Sequence, residues 1–247
     1  MPERLIAKLS RFAPFTSEQR HALRSLVRKP RQVAPRMDIQ REGEMHRGMH
    51  LLLDGFAMRY KELPGGSRQV VALMVPGDVC GAGATLLHRA DHSVATLTSS
   101  TVTTLEPDAL MATFEAHPII NRAFSWSSLV DEATLREWLL NLGRRLADKR
   151  IAHLFCEMLV RLQNVGCAAE DSLQFPLTQS DLADITGLSV VHVNRTLNAL
   201  RADGLISRSG RVLMIPDVPK LKAFCGFDGN YLHLEGQHEI PGHPHAV

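Results

Sequence analysis

Residues 177–206 read LTQSDLADITGLSVVHVNRTLNALRADGLI, and they decide how the chain is understood. The pattern is a helix, a tight turn and a second helix. Thr178 followed by Asp181 makes a capping-box-like start for the first helix, with Asp where Glu or Gln is usual. Ala183 is small where two helices approach closely, and Gly187 can take the positive φ that a sharp inter-helix turn needs. Ser189 is a good N-cap for the second helix. There Val193, Leu197 and Leu200 share one stripe at helical spacing and should face a core. Val191, Asn194, Arg195 and Asn198 fall on another face. Their chemistry suits base edges in a major groove: Arg for guanine, Asn for adenine, an apolar group for a thymine methyl. The plainer alternative is an ordinary helical hairpin with a polar outer face. Such a hairpin has no need of Val190 and Val191 at an exposed helix start, ahead of His192, Asn194 and Arg195.

The next residues along the chain favour the base-reading helix over the plain hairpin. Asp203-Gly204 is a turn signal, and Leu205-Ile206, Ser-Arg-Ser-Gly-Arg (207–211) and Val-Leu-Met-Ile (212–215) read as a short β-hairpin. A helix-turn-helix followed by a hairpin is a winged helix, whose wing would carry Arg208 and Arg211 where a phosphate backbone runs. Residues 188–215 hold four arginines against Asp203 alone, a local charge of +3, whereas the first helix carries Asp181 and Asp184. Positive charge is concentrated where local phosphate contacts require it.

The whole chain of 247 residues has a net charge of only +2, so no global basic field points to nucleic acid. Its 45% hydrophobic content is ample for one large or two smaller packed units. Residues 1–36 are locally basic, with nine Lys and Arg against Glu3 and Glu18. They read as a solvated helix and arm, or else as a contact with a partner or with flanking DNA. Cys80, Cys156, Cys167 and Cys225 are scattered without a Cys-x-x-Cys pair, which argues against a disulfide framework and against zinc or iron–sulfur spacing. No cofactor is expected, and a reducing cytoplasm is the simple compartment. No apolar run approaches ~18 residues, so no membrane span is expected. The opening residues alternate charged and apolar side chains and read as an amphipathic helix, not a signal peptide.

Helical patterning covers residues 3–28, broken at Pro14. From about 33 to 105, short apolar runs at 49–53, 70–75, 94–97 and 102–105 alternate with Gly-containing turn signals, as in a small antiparallel barrel. His117-Pro118 opens a long helix to about Arg145. Positions 119, 123, 126, 130, 133, 137 and 140 follow a coiled-coil seam broken by Glu137, and Leu129, Leu135, Leu139 and Leu142 make a second apolar side. A helix apolar on two sides packs twice, here on its own barrel and on a second copy of the chain; burial within one monomer is the alternative. Two copies would place two recognition helices ~34 Å apart on one face of DNA. Cys156, within an apolar helix, reads as a core residue.

The order is therefore α+β: an N-terminal β-roll with preceding helices (1–116), a dimerisation helix (117–146), a winged helix-turn-helix (147–226) and a tail (227–247) expected to lie loosely on the surface. With Arg-Glu-Gly-Glu (41–44), Leu-Leu-Asp-Gly (52–55), Pro-Gly-Asp (76–78), Arg-Ile-Ala (150–152) and Leu-Thr-Gln-Ser-Asp-Leu-Ala (177–183), the chain resembles the Crp/Fnr family of bacterial transcription regulators over about residues 15–215. Residues 189–197 are similar to a branch frequent in alphaproteobacteria. The resemblance implies a cyclic-nucleotide-binding-like roll that senses an effector, and a homodimer on inverted-repeat double-stranded DNA that recruits or blocks RNA polymerase. It makes Arg195 the guanine reader and places Thr178 and Ser180 against phosphate at a helix N-terminus. The candidate DNA-contacting set is Thr178, Gln179, Ser180, Ser189, Val190, Val191, His192, Asn194, Arg195 and Arg208. Val191 stands where the family usually has a Glu that accepts from cytosine, so the half-site should differ at that base pair.

In members that bind cyclic AMP, a Gly-Glu pair and a later Arg-Ser pair hold ribose and cyclic phosphate. Here the matching residues are Gly81-Ala82 and His92-Ser93. The ribose acceptor is absent, and a permanent cation is replaced by an imidazole that is mostly neutral at pH 7. Cyclic AMP is therefore not the expected effector. No cysteine precedes Cys80, which disfavours an N-terminal iron–sulfur cluster. Cys80, His88 and His92 read as a buried thiol and surface histidines ahead of haem ligands, and His46 and His50 leave a metal site as a further alternative. An effector-gated sensor of haem, redox state or another ligand is the second reading. With no P-loop, Gly-x-Ser-x-Gly or His-Glu-x-x-His motif, an enzyme is not expected.

Overall fold

The computed structural model describes residues 2–81 and 87–234. Helices α1 (Glu3–Leu9) and α2 (Ser17–Ser25) come first, and Thr16 and Gln19 form a capping box at the start of α2. Eight short strands succeed them: β1 (Arg31–Val33), β2 (Asp38–Gln40), β3 (Met49–Asp54), β4 (Ala57–Glu62), β5 (Arg68–Met74), β6 (Val79–Cys80), β7 (Ser93–Thr96) and β8 (Ser100–Leu105). They form two four-stranded antiparallel sheets, ordered β1-β8-β3-β6 and β2-β7-β4-β5, which is the expected roll. The tight β3–β4 turn needs Gly55, because a Cβ there would collide with Ser100 Oγ.

Beyond the roll lie α3 (Pro107–Ala116) and the long α4 (Pro118–Arg144), each opening with a proline at N1, where a missing N–H costs nothing. Arg145 is extended, and α5 runs from Ala147 to Asn164. Then come β9 (Ser172–Gln174), α6 (Gln179–Thr186), α7 (Val190–Ala202), β10 (Ser207–Ser209), β11 (Val212–Met214), α8 (Val218–Cys225) and a 3-10 turn at Gly229–Leu232. No helix among the described residues is long and apolar enough to cross a membrane.

The seam residues Ala123, Trp126, Val130 and Ala133 of α4 are buried within the chain, the first three with Leu5, Leu9 and Phe12 against the roll. Glu137 breaks the seam because it pairs with Arg145 at 2.6 Å. The other side stays mostly open, with Leu129, Leu135 and Leu139 exposed and Leu142 half-buried, and the last seam position, Leu140, is exposed as well. A second core unites α5–α8 with Met58, Val70, Leu73, Val75, Ala95 and Leu97 of the roll, so roll and helix-turn-helix share one apolar interior.

Two expectations are corrected. The basic N-terminal stretch is not a free arm: Arg4 pairs with Asp54, Lys8 with Asp78, Arg24 with Glu3 and Arg36 with Asp181. Three of its nine cations thereby pair with acids from the rest of the chain. Nor does the tail lie loosely from Phe227. Tyr231 and Leu232 bury against Ala133, Phe227 packs on His153 with centroids 5.0 Å apart, and the Tyr231 hydroxyl donates to Glu157 at 2.9 Å. The tail histidines 238, 243 and 245 lie outside the described residues.

A buried chain of charges crosses all these layers. Asp78, from the Pro-Gly-Asp turn, accepts from Lys8 Nζ at 2.9 Å, Arg161 Nη2 at 2.8 Å and the Val75 N–H at 2.8 Å. Burial would push its carboxyl up, but Lys8 and Arg161 outweigh that and hold it at about 2. Arg161 of α5 also donates to Leu73 O and to Glu157, which accepts from Trp138 and Tyr231 as well. Asp78→Ala strands two cations in a nearly dry site and should lower stability by about 3–5 kcal/mol. Urea denaturation followed by circular dichroism checks this, and an unchanged midpoint would contradict it.

Candidate nucleic-acid interface

Thr178 caps α6, accepting from the Asp181 N–H at 3.1 Å, while Asp181 Oδ2 accepts from the Thr178 N–H and hydroxyl, both at 2.8 Å. The capping box read from sequence is present, with a consequence for Thr178: its hydroxyl proton is committed to Asp181. The outward donors at this end are the N–H groups of Gln179 and Ser180, ahead of the first intrahelical bond, and the hydroxyl of exposed Ser180. Asp181 is almost fully buried and is also gripped by Arg36. Burial opposes ionisation there, but the bonds from Arg36 and Thr178 prevail and lower its pKa.

Gly187 takes φ 65° and closes α6, and Ser189 Oγ accepts from the His192 N–H at 3.2 Å to start α7. The turn sets the α7 stripe of Val193, Leu197 and Leu200 into the core. The opposite face therefore turns to solvent: Val191 is 79% exposed, Val190 is 45% exposed, and Asn194, Arg195 and Asn198 are exposed. His192 is half-buried beside them. A polar ladder runs along this face. Asn194 donates to Gln179 Oε1, Asn198 to Asn194 Oδ1, and Arg201 to Asn198 Oδ1. Arg195 stands outside the ladder and has no hydrogen bond or ion pair with any of the described residues.

Strands β10 and β11 pair antiparallel from Ser207↔Met214 to Ser209↔Val212, and Arg208 at the exposed tip donates Nε to Gly210 O at 2.9 Å. Sequence reading missed β9, which adds a third strand beside β11. At three residues it is too short for its alternation to register.

The described candidate effector residues, Gly81, His92 and Ser93, each have separate surroundings. Ala82 lies outside the described residues. Gly81 takes φ 79° close to Gly48 O. The buried Ser93 accepts from the Glu42 N–H at 2.9 Å. His92 Nδ1 lies 2.7 Å from Asp91 Oδ1, yet burial wins and lowers its pKa. The cation of this region is a residue that sequence reading missed. Arg59 on β4 donates Nη2 to Val79 O at 2.6 Å and to Asp131 of α4 at 2.9 Å, while its buried Nε has no partner among the described residues. The sole hint was an arginine at a half-buried strand position, which no motif marks. The buried Cys80 thiol is pushed up to about 11, and His88 is exposed. Among the described residues no three His, Cys, Asp or Glu side chains converge as metal ligands.

Comparison with known proteins matches a cyclic nucleotide-binding domain at residues 30–117 and a Crp-like helix-turn-helix domain at 149–224. A nitrogen fixation regulation protein FixK of Bradyrhizobium diazoefficiens is 28% identical, over 67% of this chain and 69% of its own. The transcriptional activator protein FnrL of Cereibacter sphaeroides is 26% identical, over 72% and 73%. The structure of FixK2 from Bradyrhizobium japonicum superposes with a TM-score of 0.71 at 22% identity, covering 79% of this chain and 96% of that one.

His50 supplies a pH test of the roll. It is buried, bonded to Thr104 at 3.1 Å, and burial followed by Arg31 lowers its pKa from 6.5 to about 4. The unfolded chain thus binds the extra proton first, and stability falls as pH drops from 6.5 towards 4. His50→Gln should flatten that part of a melting-temperature profile; an identical slope in both proteins would refute the assignment.

Proposed function

Because the chain belongs to the Crp/Fnr family of transcription regulators, we propose that it acts as a homodimer docking one α7 into each half-site of an inverted-repeat operator. The observation that carries this is Arg195, a solvated cation without a partner among the described residues, flanked by Val191 and Asn194 on the face of α7 turned away from the core. Desolvating it against a guanine breaks no existing bond, whereas Arg201 is tied to Asn198. Gln179, Asn194 and Asn198 are preorganised by their ladder, which lowers the entropy lost on meeting base edges. Ser180 and the N-terminal N–H groups of α6 take a phosphate, Thr178 and Asp181 hold that terminus in shape, and Ser189, Val190 and His192 form the entry end of the reading helix. Val191 meets a thymine methyl. Arg208 in the wing takes a flanking phosphate.

The exposed leucines of α4 supply the dimer contact, and the docked surface recruits or blocks RNA polymerase in the cytoplasm. Cyclic AMP is not required. In the roll the buried cation is already neutralised by Asp131, and His92 is engaged by Asp91.

In-vitro selection of random duplexes with the purified protein supplies the operator. On it, Arg195→Ala should cost ~1–3 kcal/mol and relax preference at one guanine per half-site, while Arg208→Ala weakens all sequences alike and lowers the salt slope. Equal loss of Arg195→Ala on operator and random DNA would remove Arg195 from base reading. Leu139→Glu puts a charge on the most exposed leucine of α4, at 72%. It should shift the protein to monomer in light-scattering chromatography without lowering its melting temperature; a persistent dimer would move the interface off this helix.

A further inference from the structure

Two ion pairs join the roll to α6, the helix that supports the reading helix. Arg36 holds Asp181 in a two-pronged grip, with Nη2–Oδ2 at 2.7 Å. Arg68, at the start of β5, donates Nε and Nη2 to Asp184 Oδ2 at 2.9 and 2.5 Å. Beside them Gln69 Nε2 donates to Ile185 O at 3.1 Å. Asp181, Asp184 and Ile185 lie three and four residues apart, on one side of α6. The roll thus grips one side of α6 and leaves the reading face of α7 open, with Val191 at 79% exposure.

Arg36 occupies its place at a conformational cost. Its φ is 64°, in the left-handed region that disfavours a side-chain-bearing residue. The turn is fastened by Arg36 N–H to Thr96 O at 2.9 Å and by Thr96 Oγ1 to Ala34 O at 2.6 Å. The result is a guanidinium delivered to a carboxylate 145 positions further along the chain.

Charge gives the pairing its functional sign. Residues 178–211 contain four arginines and three aspartates, a net charge of +1. With Asp181 and Asp184 neutralised by the roll, the same unit presents +3 to a polyanion. Asp184 lies six residues from the cap of α6, about 9 Å along the axis and within one Debye length at 0.1 M salt. We propose that Arg36 and Arg68 are positioning residues for DNA binding: they fasten α6 to the roll by its two acids and cancel carboxylates that would otherwise repel the phosphate backbone. The roll thereby sets operator affinity through its register on α6. This rests on α6 and α7 being the DNA interface.

A double-mutant cycle tests it by fluorescence anisotropy on the selected operator, with melting temperatures recorded for each variant. Arg36→Ala should weaken binding about 5- to 20-fold at 0.1 M salt, and less at 0.3 M. In an Asp181→Asn background, where the cap acceptor survives and the charge does not, the same change should cost less than about 2-fold. Unchanged affinity, tighter binding, or a loss undiminished by Asp181→Asn would each overturn the proposal. If Arg36→Ala fails to fold, the Arg68→Ala and Asp184→Asn cycle decides by the same criteria. Arg195→Ala serves as the control for the underlying reading. If it binds as wild type does, the DNA face is elsewhere; if it loses affinity while the arginine cycles are flat, this proposal alone fails.

Discussion

Asp78 is the constraint on which the rest of the structure depends. A carboxylate that is 5% exposed cannot stay ionised without cations and N–H donors around it, and each of its partners comes from a different part of the chain. Lys8 brings α1 under the roll, Val75 closes the Pro-Gly-Asp turn, and Arg161 brings α5 against β5. Arg161 then needs Glu157, and Glu157 holds Trp138 of α4 and Tyr231 of the tail. Apolar burial is not directional, so the shared core would tolerate sliding of α5 on the roll. Charge-assisted bonds at 2.8–3.1 Å do not, and they give the helix-turn-helix a defined seat.

The same logic separates cations with internal partners from cations held open. At the N-terminus Arg4, Lys8, Arg24 and Arg36 are held by Asp54, Asp78, Glu3 and Asp181. Arg59 is consumed by Asp131, and Arg150 donates to three carbonyls at the α4–α5 junction and to Thr186 O at the end of α6. Arg195 remains outside all of these. A near-neutral chain can therefore present a cationic reading surface, because pairing inside the fold is uneven across it.

Legibility in the sequence followed the range of each interaction. The helix-turn-helix was readable in detail because its determinants are local: Thr178 with Asp181, Ser189 with His192, and a glycine at the αL position. The wing and the main roll strands were readable from turn residues and alternation. The limits of α4 followed from its N1 proline and the non-helical Arg145. What was not legible was long-range pairing. Nothing near Arg36 marks a partner 145 positions away, and nothing near Tyr231 points to Glu157, 74 positions earlier. The tail looked loose because Gly, Pro and His dominate its composition, yet two aromatic rings and one hydroxyl dock Phe227–Leu232 on His153, Ala133 and the buried Glu157. Arg59 was missed for the same reason: its role is defined by Asp131 on another element.

Arg59 also limits how the roll can work as a sensor. An anion that takes Arg59 Nη2 competes with Asp131, so its binding energy must first cover separation of that pair, whereas the buried Nε has no partner among the described residues. Asp131 sits on α4 one turn from Leu135, an exposed leucine of the open face. Displacing the carboxylate would free a charge beside that face and release β4 from α4. β4 is hydrogen-bonded along its length to β5, whose Arg68 holds Asp184. Roll interior, dimer-facing helix and supporting helix are thus linked by two ion pairs on adjacent strands. A ligand that leaves the Arg59–Asp131 pair intact has no lever on this connection, since it gains no differential affinity for the two arrangements.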